Sequence, residues 1–117
     1  MHKFIFGITI FILLSSSAMA GRLHCVGKID KINISASGAL SIYSKEIYGD
    51  TSGRTICNLI TQEKVPVKVC ELWSTQVLES YSSQKELRIA FKESKYKTCL
   101  GHPIWDKADK PNTISNW

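Results

Sequence analysis

Ile56-Cys57-Asn58-Leu59-Ile60, then Pro66-Val67-Lys68-Val69-Cys70-Glu71-Leu72-Trp73, then Leu87-Arg88-Ile89-Ala90-Phe91 decide the fold. The first run ends a β-branched, apolar strand read from Arg54 to Ile60. Pro66 suits the opening turn of a helix, where its missing N–H costs nothing. After it Val69, Trp73, Val77 and Tyr81 recur on one helical stripe, with Leu72 and Leu78 at its edges and Cys70 beside it. That spacing predicts a helix over Pro66–Tyr81, closed by Ser82-Ser83-Gln84. Leu87, Ile89 and Phe91 alternate with Arg88, Ala90 and Lys92, the mark of a half-buried strand.

Upstream, residues 23–34 alternate imperfectly, with Val26, Ile29, Ile32 and Ile34 as the apolar members. The phase slips between Ile29 and Ile32, as at a bulge in one long, bent strand, and Gly27 marks a bend. Ser35-Ala36-Ser37-Gly38 is a turn. Leu40 and Ile42 share one face of a second strand, with Ser41 and Tyr43 on the other. Glu46–Gly53 reads as a loop. The phase of the strand from Arg54 stays open, because Thr55-Cys57-Leu59 and Ile56-Asn58-Ile60 compete. Downstream, residues 98–103 are turn-rich, and residues 113–117 suit a short last strand.

The first 20 residues read as a leader. Lys3 supplies a basic start, Phe4–Leu14 an apolar run, and Ala18-Met19-Ala20 a small-residue cleavage site. The run falls short of the ~20 residues a membrane-spanning helix needs. Removing those 20 of 117 residues leaves 97, one small domain, and losing Lys3 lowers the formal charge from +5 to +4. The charges are interspersed, so neither nucleic acid nor a membrane surface is implied as a partner. A periplasmic or secreted location is the expectation.

Four cysteines in so short an exported chain imply two disulfides, and three pairings are open. Cys57–Cys70 would pin the helix to the preceding strand. Cys25–Cys99 would close the sheet if the first and fourth strands pair antiparallel. These are the expected bridges. Cys-x-x-Cys is absent, so redox and zinc-ribbon readings lack their usual spacing.

The order β-β-β-α-β-β, with a bent first strand, fits a mainly β, OB-like five-stranded barrel carrying two disulfides. No nucleophile elbow, phosphate loop or His-Glu-x-x-His motif is present. Asp106 and Asp109 stand as a paired-carboxylate candidate in a polar stretch that reads as a solvated loop. Trp105, Tyr43 and Tyr48 fall in loops or on outward faces and are the ligand-binding candidates, suited to stacking on a sugar or a protein partner. The preferred expectation is a non-enzymatic module with no cofactor, metal or catalytic residue. The alternative is a small exported hydrolase or metal-dependent enzyme using His24 and His102.

Cys25-x-Gly27-Lys28-Ile29, Ile56-Cys57-Asn58-Leu59, Val69-Cys70-x-x-Trp73, and Cys99, Trp105 and Pro111 resemble a group of small exported proteins of gram-negative bacteria. That resemblance carries over no catalytic residue. More distantly, the leader, the strand order and the stretch Gln84–Phe91 resemble the B subunits of pentameric bacterial toxins. That likeness implies an OB-like fold, glycan binding and assembly of several copies.

Overall fold

A computed structural model describes residues 21–94, 96–105, 108 and 110–116, without the side chain of residue 93. The leader and the Asp106/Asp109 candidate lie outside the described residues.

Among the described residues six strands and two helices follow in order: β1 Gly21–Gly27, β2 Lys31–Ile34, β3 Ala39–Tyr43, α1 Lys45–Tyr48, β4 Arg54–Asn58, α2 Val67–Ser83, β5 Leu87–Ser94 and β6 Thr113–Ser115. They form two three-stranded sheets, ordered β1-β5-β6 and β2-β3-β4, and every strand pair within them is antiparallel. The domain is therefore mainly β. It departs from the expected architecture: no closed barrel forms among the described residues, and the order is not that of five strands around one helix.

The correction begins at residues 28–30. The expected long strand divides there, because Ile29 turns into the core at 1 % exposure and its neighbours Lys28 and Asp30 bind α1 and its capping residue Ser44. Lys28 N–H donates to Glu46 Oε1 (2.9 Å), Ser44 Oγ donates to Lys28 O (2.6 Å), and Lys45 N–H donates to Asp30 Oδ2 (2.8 Å). Gly27 is required at this crossing, since a Cβ there would lie 2.8 Å from both Glu46 Cβ and Ile47 Cγ1. The phase slip in the sequence is thus a break between sheets rather than a bulge within one strand.

The core lies between the sheets and α2. Leu23, Cys25 and Gly27 face inward opposite Phe91, Ile89 and Leu87, and Ile114 backs Ile89 from β6. On the other sheet Leu40, Ile42 and Ile56 are buried. Each such aliphatic side chain contributes about 1.5–3 kcal/mol. The buried face of α2 is Cys70, Trp73, Val77 and Ser80, while Tyr81, Leu72 and Leu78 are exposed. The expected stripe is therefore rotated toward Cys70, which is bonded to Cys57 of β4. Ser80 belongs to that face because its hydroxyl donates to Lys85 O (2.6 Å). Gln84 ends the helix in the left-handed region, φ 56°.

β4 is buried along its whole length, on both faces. The competing in/out patterns of residues 54–60 follow from this. The segment after Cys99 bonds along the edge of β4 that faces away from β3. Trp105 N–H donates to Gly53 O (2.8 Å), Thr55 N–H donates to Trp105 O (3.3 Å), and Lys110 Nζ donates to Thr55 O (3.0 Å). Cys25–Cys99 ties the start of this covering segment to β1. No helix among the described residues is long and apolar enough to cross a membrane.

Candidate functional site

Two of the three aromatic candidates come together. Tyr43 ends β3 and Trp105 runs beside β4, and their rings meet edge to face at 5.7 Å and 82°. Lys31 lies directly opposite Tyr43 in the β2–β3 ladder, with its Nζ 4.9 Å from the Tyr43 ring centroid. Tyr43 is half-buried, whereas Trp105 is 42 % exposed. Such a pair and its overlying cation each contribute on the order of 1 kcal/mol.

Trp105 is held in place by its backbone rather than by burial. It forms a parallel bridge with Arg54 and adopts φ 52°. A non-glycine residue there carries strain of roughly 1–3 kcal/mol, which the two hydrogen bonds to β4 and its flank sustain. Gly53 leaves the room beneath the rings: a Cβ at that position would approach the Trp105 ring to 2.8 Å and the Tyr43 ring to 2.9 Å. The result is an exposed indole, a phenol edge and an ammonium group on one surface.

Tyr48, the third candidate, is not on that surface. It is 2 % exposed, because α1 turns it into the core where the sequence suggests a loop. Ser44 caps this short helix by accepting from Ile47 N–H (3.1 Å), and Gly49 closes it at φ 81°. Tyr48 serves instead as the wall of a buried cation. The Arg54 guanidinium carbon lies 4.3 Å over its ring, and Arg54 itself is 1 % exposed. Burial pushes the Tyr48 phenol far above its ordinary range, more than the nearby Arg54 charge lowers it.

Arg54 spends its donors fully. Its Nη1 and Nη2 hold Asp50 in a bidentate pair (2.5 and 3.1 Å), Nη1 also reaches Ser52 O (3.0 Å), and Nε and Nη2 both donate to His102 O, the former at 3.0 Å. The Arg54 hydrogen bond holds the Asp50 carboxyl below its ordinary value of 3.8. This cluster joins β4, the Asp50 loop and the segment carrying Trp105, so it is the support beneath the aromatic pair.

The two histidines of the enzymatic alternative are not brought together. His24 is exposed and lies opposite Ala90 on β5. His102 is 2 % exposed and stacks on Phe91, with ring centroids 5.3 Å apart, while the Tyr96 ring meets it edge-on at 4.8 Å. Ala90 and Phe91 are successive residues of one strand and face opposite sides, so the histidines lie on opposite sides of the β1–β5 ladder. Among the described residues no group of three or more His, Cys, Asp or Glu side chains is placed to hold a metal ion.

Lys31, Gly53 and Arg54 were not singled out by the sequence. Lys31 was legible in principle, since pairing residues 31–34 with 40–43 through the turn sets it opposite Tyr43. Arg54 gave no signal, because Asp50 and Arg54 meet through a loop rather than a helix.

The fold and this surface define a class: a small, mainly antiparallel β domain with two disulfides and an exposed aromatic pair on a buried ionic support. Compared with protein-family models, curated proteins and solved structures, the chain matches none.

Proposed function

We propose that this chain is a non-enzymatic exported binding module that takes a sugar ring at the Tyr43–Trp105 surface. The observation that carries the reading is the strained yet exposed Trp105. An indole at a left-handed backbone position carries strain, yet 42 % of its surface still faces water. Backbone strain of this kind collects where a side chain must be presented to a ligand. The indole face suits the C–H face of a pyranose, and the Tyr43 hydroxyl and Lys31 ammonium suit its hydroxyl groups. Two disulfides fit an oxidising compartment, and the leader-like first 20 residues fit export.

A glycan array probed with the oxidised protein tests the reading. Trp105→Ala is expected to weaken retention of the bound glycan at least tenfold. Gly53→Ala is expected to do nearly the same while leaving the melting temperature within a few degrees. Its new methyl group drives apart two ring ends that can swing outward, so function suffers more than stability. Retention of no glycan would sink the proposal, and so would full retention by both variants. Capture of an envelope protein that depends on Trp105 would replace the sugar with a protein partner. Light scattering after size exclusion reports whether several copies assemble to present the surface.

A further inference from the structure

We infer that the outer face of the β1-β5-β6 sheet carries an oxyanion site for a phosphate or sulfate group borne on a sugar. It is separate from the aromatic pair and does not depend on it.

Alternation builds the site. With Leu23, Cys25, Leu87, Ile89, Phe91 and Ile114 inward, the residues between them face out. Ala90 is central, and its two cross-strand partners are His24 on β1 and Thr113 on β6. A single methyl group between longer side chains leaves a recess of about 240 Å³. Arg22, His24, Lys92, Asn112 and Thr113 stand round it, and none of the described side chains that line it is acidic.

The register concentrates charge there. Between the pairs Gly21–Ser94 and Leu23–Phe91 the ladder slips, so Arg22 lies against Lys92 and Glu93 across the bulge. Like charges set side by side on adjacent strands are destabilising. A bound oxyanion would remove that repulsion.

The donors have the right chemistry. Arg22 offers a planar fork that matches two oxygens of a tetrahedral anion, and Lys92 adds a mobile point charge. The Thr113 hydroxyl and the His24 ring add further hydrogen-bond partners. Asn112 accepts the Lys92 N–H through Oδ1, which leaves its NH2 group as that side chain's donor. Its own N–H donates to Ala90 O (2.8 Å), so the rim is fastened to the floor. The recess, about 240 Å³, has room for one oxyanion and part of the ring that carries it.

Amide chemical shifts followed during titration at constant ionic strength test the site, with inorganic phosphate, glucose 6-phosphate, glucose 6-sulfate and sodium chloride as probes. Saturable shifts at residues 22–24, 90–92 and 112–113 are expected with the two esters, which bind more tightly than inorganic phosphate. Arg22→Gln with Lys92→Gln should weaken ester binding at least tenfold without lowering the melting temperature, and Lys68→Gln on α2 should not change it. Equal affinity for inorganic phosphate would overturn the sugar part of the inference. Linear, unsaturated shifts like those with chloride would overturn all of it, whatever the fate of the aromatic surface.

Discussion

Replacing Cys25 and Cys99 together with alanine should cost about 4.4 kcal/mol of stability, against about 2.9 kcal/mol for Cys57 and Cys70. Both values come from the loop each bridge closes in the unfolded chain, with sequence separations of 74 and 13 residues. The difference between the pairs, about 1.5 kcal/mol, depends only on the logarithm of the loop lengths and is firmer than either value. For a domain of about 100 residues the larger loss lowers the melting temperature by roughly 20–35 °C. Chemical denaturation of the two double variants, with refolding checked, supplies both numbers.

The consequences should also differ in place. Cys57–Cys70 holds α2 against β4, and buried Trp73 and Val77 hold the same helix to the core beside it. Cys25–Cys99 anchors the segment that brings the His102 carbonyl under Arg54 and sets Trp105 beside Gly53. The Cys25/Cys99 variant should therefore lose binding at the aromatic surface even at temperatures where it stays folded. The Cys57/Cys70 variant should keep it. Equal losses of stability, or the reverse order, would show that packing rather than chain entropy sets the worth of these bridges.

What the sequence made legible was whatever rests on periodicity. β5 announced itself through Leu87, Ile89 and Phe91, and α2 through Val69, Trp73 and Val77. Antiparallel pairing of the first strand with that fifth strand was enough to join Cys25 to Cys99. Period alone could not show a change of environment along a single run. Residues 23–34 look like one strand because Val26, Ile29, Ile32 and Ile34 are all apolar, yet Ile29 leaves the ladder to fill the core. The expected five-stranded barrel rested on keeping that run whole. The candidate site divided on the same ground. Tyr43 and Trp105 meet because strand pairing and a β-like bridge place them. Tyr48 was misplaced because a four-residue helix, closed by Ser44 and Gly49, is too short to leave a hydrophobic period. Arg54 reads as a surface residue by composition, since arginine is seldom fully buried without a partner. Its partners are a carboxylate four residues earlier and a carbonyl 48 residues later, which no local pattern reveals.

Arg54→Met should destabilise the protein by about 3 kcal/mol, and Asp50→Asn by less. Arg54 is 1 % exposed, so its removal strands groups built around it. The His102 carbonyl loses both of its guanidinium donors, Ser52 O loses one, and Tyr48 loses the cation over its ring. An unpaired buried acceptor costs about 1–3 kcal/mol, and methionine recovers part of this by filling the space. Asp50 is different because its side chain is 42 % exposed. Water can replace much of what it gives, so Asp50→Asn leaves Arg54 with three carbonyl contacts and an amide oxygen in place of its counter-charge. The pH dependence separates the two roles. The Asp50 carboxyl is held below 3.8 in the folded state, so near that pH the unfolded chain binds more protons and stability rises with pH. The contribution is present above about pH 4 and is lost as pH falls through the depressed folded value. Asp50→Asn should remove this part of the acid limb, so that the melting temperatures of variant and parent converge toward pH 2–3. Arg54→Met should remove it too, since Asp50 then titrates as an ordinary surface carboxylate, yet its deficit should persist at acid pH because the stranded carbonyls do not titrate. A constant gap between parent and Asp50→Asn from pH 7 to pH 2 would show that the pair contributes shape and not charge.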